Sequence, residues 1–271
     1  MDVESILKEI RTRGNNERVL TSFQSLLHIM SDLRTKCPWD KKQTIHSLRI
    51  LTLEETFELA EAILQEDMEN IKEEIGDVML HMVFYAYIAE EQGYFSMADA
   101  LDHICHKLIR RHPHIYGDLQ LATDEEVKKN WEKLKLDEGK KSVLSGVPRG
   151  LPALIKAYRI QDKVSKVGFD WTHIDDVENK FHEEWNELQE ARKSGNPDKI
   201  EEEFGDVLFS LVNYARFLNI DPERALELTN LKFLNRFSYI ENNAEKPLSN
   251  LTLQEMEALW GDAKNAEKVT R

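Results

Sequence analysis

Cysteine is nearly absent: Cys37 and Cys105 are the only two in 271 residues. That is too few for a disulfide framework and suits a reducing compartment. Proline and glycine, at 7 and 11 residues, are sparse enough that little interrupts a helix. No apolar run approaches bilayer-spanning length, and the opening segment MDVESILKEIRTR is charged rather than apolar. The expectation is a soluble cytoplasmic protein with no membrane partner. Basic runs are missing too. With 50 acidic against 36 basic residues and a formal charge of -14, there is no cationic track for a nucleic-acid backbone. An anionic ligand would therefore need a metal ion, or a few well-placed Lys and Arg, to overcome the general repulsion.

What the chain has in abundance is apolar residues at helical spacing, with little strand-like alternation, so the class is all-α. It is also built twice. Ile71, Ile75, Val78 and Met82 step along one helix face, and Ile200, Phe204, Val207 and Leu211 repeat those steps 129 residues later. The same offset lays EETFELAEA (54–62) on EEWNELQEA (183–191) and EEIGDV (73–78) on EEFGDV (202–207). Register kept across two helices and the loop between them indicates a duplicated unit. Further on the offset relaxes to 125, pairing Lys107 with Lys232 and Arg111 with Arg236, as a small insertion in the first copy would cause. A third helix is expected to start after Ser96 in one copy and after Asp221 in the other, both good N-cap residues. Thr123 and Glu126 have the spacing of a capping box for a further helix. SGVPRGLPAL (145–154) holds two glycines and two prolines, which places the boundary between a first domain, 1–146, and a second, 147–271.

The repeated acids carry the chemistry. Glu184 and Glu187 lie three apart on one helix, and Glu203 and Asp206 lie three apart on the next, so each pair projects from one side of its helix. A single such pair is ordinarily a solvated face; two pairs duplicated in register are not. Four converging carboxylates repel unless a cation joins them, and an all-oxygen set of hard ligands suits Mg²⁺, with Mn²⁺ as the alternative, rather than zinc. Glu55, Glu58, Glu74 and Asp77 are the equivalent set in the first copy. No Glu-x-x-His accompanies them, which excludes the di-iron pattern, and His103, His106, His112 and His114 with Cys105 fit no usual zinc spacing. Gly76 and Gly205 sit inside helices at a cost of about 1 kcal/mol each relative to alanine, for which close approach of a helix or ligand and simple core crowding are the two readings. Lys232 and Arg236, one turn apart, can reach a phosphate chain. Asn213, two turns beyond Asp206, either orients a base, a ribose or a water, or is a satisfied buried amide.

These features together resemble the MazG family of nucleoside triphosphate pyrophosphohydrolases. EExxE followed by ExxD stands in both halves, with KCPWDKKQT at 36–44, RRHPHIYGD at 110–118 and VGFDW at 167–171. The resemblance covers nearly the whole chain. It implies an all-α fold of two tandem helical repeats that pair into four-helix-bundle assemblies, usually in a homodimer. It implies Mg²⁺-dependent hydrolysis of nucleoside and deoxynucleoside triphosphates to the monophosphate and pyrophosphate, with broad base tolerance and a house-cleaning role. By position, Glu184, Glu187, Glu203 and Asp206 look like the metal ligands, Lys180, Lys199, Lys232 and Arg236 like triphosphate contacts, and Trp260 like a neighbour of the nucleotide. Glu183 either takes a proton from the attacking water, holds a second metal or faces solvent. The family likeness makes the C-terminal copy the principal hydrolase and the N-terminal copy structural or regulatory. The competing reading is a non-catalytic helical module that senses nucleotides or binds a protein partner, which the sequence does not name.

Overall fold

The computed structural model describes residues 2–14, 16–120, 122, 123, 126, 127, 130, 134 and 142–269. Among them every α or 3-10 element is helical and there is no strand. The α-helices whose bounds lie among the described residues are α1 (Val3–Thr12), α2 (Glu17–Lys36), α3 (Ile45–Gln65), α4 (Met68–Glu91), α5 (Met97–Arg111), α6 (Pro113–Tyr116), α7 (Ala153–Ser165), α8 (Ile174–Ser194), α9 (Pro197–Phe217), α10 (Pro222–Asn243) and α11 (Leu253–Val269). The chain divides into two compact units, Met1–Leu134 and Lys135–Arg271.

Local chemistry explains the helix starts. Ser96 caps α5 in a reciprocal box with Asp99, and Asp221 caps α10, whose first residue is Pro222, as the sequence pattern predicts. Thr123 and Glu126 bond reciprocally as a capping box, although most of the segment that follows lies outside the described residues. The turns of the two acidic hairpins are equivalent. Glu66 (φ 56°) ends α3 and Gly195 (φ 70°) ends α8 in the same left-handed conformation, followed by the N-caps Asp67 and Asn196. A glycine takes that conformation without the Cβ penalty that Glu66 carries.

In the first unit α3 packs on α4, α2 on α4 and α1 on α5. Met30, Leu48, Val83, Phe84 and Ile88 form its buried centre, and Ile6 and Leu7 fasten α1 against Ile109. In the second unit α8 packs on α9, α7 lies against α9 and α10, and α11 lies along α10. Val177, Leu188, Ala191, Val207 and Val212 are buried there. Burying the valine and leucine side chains contributes about 1.5–3 kcal/mol each.

The duplicated apolar stripe does not all turn inward. Val207 is buried, but Phe204 and Leu211 on the same face are 53% and 46% exposed, and Ile75 and Met82 are exposed likewise in the first unit. The in-unit neighbour covers only one side of a stripe that is wider than it needs. No atom of the described residues lies within 4 Å of where a Cβ would stand on Gly76 or Gly205, so crowding among them does not account for either glycine. Both lie on the open side, beside the acids.

Candidate active site

The α8–α9 hairpin brings the second acidic set together. One carboxylate oxygen from each of Glu184, Glu187 and Glu203 lies within 4.8 Å of the others. Glu184 is buried and Glu203 half-buried, because both sit where the two helices face each other. Burial, then the charges of Glu184 and Glu203, push the Glu187 carboxyl above the ordinary carboxylate range. Glu55, Glu58 and Glu74 converge in the same way on α3 and α4. Glu55 and Glu74 are likewise raised, by burial first and then by neighbouring acids that include Asp77. Oε2 of Glu74 is buried without a hydrogen-bond partner among the described residues. Clusters of carboxylates whose charges oppose one another's ionisation, with an acceptor left open, are fit for a hard divalent cation. Asp206 is not in the tight trio; with Glu184 it forms part of the wall of an adjoining cavity.

That cavity, about 490 Å³, lies between α7, α8, α9 and the 168–171 loop. Its walls are mainly apolar: Ile160, Val164, Phe169, Trp171, Val177 and Phe209. At the carboxylate end stands Lys180, whose Nζ is 2.7 Å from Glu183 Oε1 and 2.8 Å from Glu184 Oε1. Those two acids hold the ammonium protonated, raising its pKa well above the usual lysine value. At the far end Arg216 donates from Nε and Nη2 to Asn213 Oδ1 at 3.1 and 2.9 Å, and grips Asp170 with both of its terminal nitrogens. Gln161, buried on α7, donates from Nε2 to the Phe209 carbonyl at 2.8 Å.

The other expected residues stand elsewhere in the unit. Lys199 borders a separate depression with Glu187 and Glu203. Lys232 is exposed on α10. Arg236, one turn on, is gripped by Glu267 at 3.0 and 2.7 Å, which raises its pKa, and lies over the Trp260 ring at 5.5 Å. Trp260 in turn packs on Phe233. None of Lys199, Lys232, Arg236 and Trp260 borders the cavity. Phe169, Trp171, Asp170, Gln161 and Arg216 are among the cavity residues to which sequence reasoning assigned no role. The VGFDW motif contained three of them and a signal for Arg216 existed in its opposite charge to Asp170; a glutamine on an amphipathic helix gave none.

In the first unit the matching positions, 129 residues earlier, hold Leu48 for Val177, Leu51 for Lys180, Phe84 for Asn213 and Tyr87 for Arg216. All four join that unit's apolar core. The acids recur in the first unit, while the positions matching these cavity residues are apolar or aromatic and packed in its core.

A MazG nucleotide pyrophosphohydrolase domain is matched twice, at residues 43–116 and 175–239. The chain belongs to the MazG family. It is 43% identical to the nucleoside triphosphate pyrophosphohydrolase/pyrophosphatase MazG of Thermotoga maritima, over 91% of this chain and 97% of the relative. It is 40% identical to the nucleoside triphosphate pyrophosphohydrolase of Escherichia coli K12, over 93% of this chain and 97% of the relative. An uncharacterized Bacillus subtilis protein, YabN, is 43% identical over 91% of this chain and 52% of its own length. Among the described residues no helix is long and apolar enough to cross a membrane.

Proposed function

We propose that this MazG-family chain hydrolyses nucleoside triphosphates at the bond between the α and β phosphates, releasing the monophosphate and pyrophosphate, and that the second unit does so. The observation that carries this reading is the three-glutamate cluster of Glu184, Glu187 and Glu203 opening, through Glu184 and Asp206, onto an apolar cavity of nucleoside size. Mg²⁺ held by Glu184, Glu187, Glu203 and Asp206 would supply Lewis acidity to the phosphate oxygens and lower the pKa of water bound there.

The side chains do the rest. Water adds to the α phosphorus, the bond from that phosphorus to the α–β bridging oxygen breaks, and pyrophosphate departs with the bridging oxygen. Glu183 takes the water's proton: its Oε1 is fixed by Lys180, and it neighbours the ligand Glu184 on the same turn. Lys180 lies close enough to both acids to be shared with a phosphate oxygen, and Lys199, Lys232 and Arg236 are the further triphosphate contacts. Arg236 becomes available when Glu267 gives way, so α11, which also carries Trp260, is the element that adjusts to the nucleotide.

We assign residues 147–271 the catalytic role and 1–146 a structural or regulatory one, because Leu51, Phe84 and Tyr87 occupy the first unit's equivalent of the cavity. Broad base tolerance, a cytoplasmic house-cleaning role and a homodimer complete the proposal. The dimer is supported by the open face at Phe204, Leu208 and Leu211, where Gly205 lets a partner helix come close. Incubating the full chain with Mg²⁺ and a panel of triphosphates, and separating products by chromatography, tests the reaction. Monophosphate and pyrophosphate are expected, lost in Glu203→Ala. Intact triphosphate after long incubation would favour the nucleotide-sensing module instead.

A further inference from the structure

Gln161 holds a buried hydrogen-bond acceptor that the fold leaves unused. The side chain is 5% exposed, its Nε2 donates to the Phe209 carbonyl at 2.8 Å, and its Oε1 has no partner among the described residues although it is shielded from solvent. The orientation of the amide is chemically determined: a carbonyl only accepts, so the NH₂ must face Phe209 and the oxygen must face away from it. A buried carbonyl oxygen with no partner is costly and uncommon in folded chains. Since Gln161 borders the cavity, that space is where a partner can come from.

Asn213 supplies the complementary half. Its Oδ1 is consumed by the Arg216 guanidinium, which has only donors, so its NH₂ remains to donate into the same cavity. Both amides line the cavity beside α9: the Phe209 carbonyl that fixes Gln161 belongs to a residue four before Asn213, about 6 Å nearer the carboxylate end. Asn213 is in turn seven residues, about 10 Å along the helix, from Asp206 at the carboxylate end. A nucleoside whose 5′ phosphate lies at the acids would reach that level with the far edge of its base.

We propose that Gln161 is a specificity-determining residue: its Oε1 accepts a hydrogen bond from an N–H on the base edge, while the Asn213 NH₂ donates to the adjacent ring nitrogen or carbonyl. This rests on the nucleotide reading above. Every common base offers a neighbouring donor and acceptor on its pairing edge, so the device admits many bases while rejecting analogues in which the donor is blocked. Uracil makes the cleanest probe, because N3–H is the only N–H donor left on its ring in a nucleotide.

The test compares UTP with N3-methyl-UTP, both as hydrolysis substrates and, in α,β-methylene form, as ligands in calorimetry. Wild type should favour the unmethylated compound by about tenfold or more in KM and Kd, the scale of a buried acceptor left unsatisfied. Gln161→Leu should raise KM for UTP by a similar factor, leave kcat within about twofold, and remove the discrimination against the methylated analogue. Thermal melting of the variant reports whether it folds; the wild-type comparison of the two nucleotides holds regardless. Equal KM and Kd for the two compounds in wild type would overturn the proposal. Discrimination in binding without any hydrolysis would sink the enzyme reading and leave this one standing.

Discussion

Arg216 and Asp170 meet fork to fork, with Nη1 to Oδ2 at 2.9 Å and the second nitrogen on Oδ1, and this pair ties the 168–171 loop to α9. Both side chains are mostly shielded, at 14% and 24% exposure, where a two-point pair holds geometry better than a single contact. The loop brings Phe169 and Trp171 to the cavity, and the same guanidinium orients Asn213. Arg216→Lys keeps the charge but loses the fork and the grip on Asn213. KM for nucleoside triphosphates should rise by about tenfold with kcat little changed. Steady-state kinetics read this directly, and an unchanged KM would show that the loop holds its place without the pair.

The carboxylate trio predicts opposite effects on activity and on metal-free stability. Glu203→Gln removes one charge from a cluster in which Glu184 and Glu203 already push Glu187 upward. The metal-free variant should melt no lower than wild type, since like-charge repulsion is relieved. Hydrolysis should fall by about 100-fold or more, on the scale of losses at metal-supporting residues. Wild type should gain thermal stability as Mg²⁺ is added, and the variant should gain less, because only a ligand of the folded state shifts the melting point. Melting curves with and without Mg²⁺ decide the matter.

The first unit keeps its acids but fills the neighbouring space with Leu51, Phe84 and Tyr87. Glu58→Gln should therefore leave pyrophosphate release within about twofold, whereas Glu187→Gln should lower it by about 100-fold. Parallel product assays on the two variants suffice. A large loss in Glu58→Gln would assign the first unit a direct part in turnover.

The helices, the duplication and the acidic hairpins were legible because each leaves a periodic or repeated trace: the ExxE and ExxD pairs, the 129-residue register, and the caps Ser96 and Asp221. The cavity was not. Its walls come from α7, the 168–171 loop and two further helices, and no local spacing reports which of those side chains meet. Gln161 looks like any polar residue of an amphipathic helix until the Phe209 carbonyl fixes its amide. The outward turn of Phe204 and Leu211 was also hidden, because a stripe's period gives its existence and not how many neighbours cover it. The position of Arg236 depended on Glu267, thirty-one residues away in sequence and invisible to any helix-face argument.

His106 makes the docking of α1 on α5 sensitive to pH. Its Nε2 meets Glu4 at 2.6 Å and its Nδ1 meets the Asp102 carbonyl at 2.6 Å. Two acceptors require two N–H groups, which only the imidazolium has. The side-chain bond to Glu4 chiefly, then the backbone bond, raises the pKa above the ordinary 6.5. A raised histidine contributes stability that is fully present below the unfolded value and is lost as pH rises through the folded one. The Arg11–Asp102 pair, 3.0 Å, also joins α1 to α5. Hydrogen exchange at the amides of α1 should therefore be slowest, after correction for the intrinsic rate, below about pH 6.5. Protection should decline above the folded pKa without vanishing. Glu4→Gln should bring the His106 titration, followed by NMR, back toward the ordinary value and flatten the pH dependence of exchange. A His106 pKa unchanged by that substitution would show that the Asp102 carbonyl alone sets it.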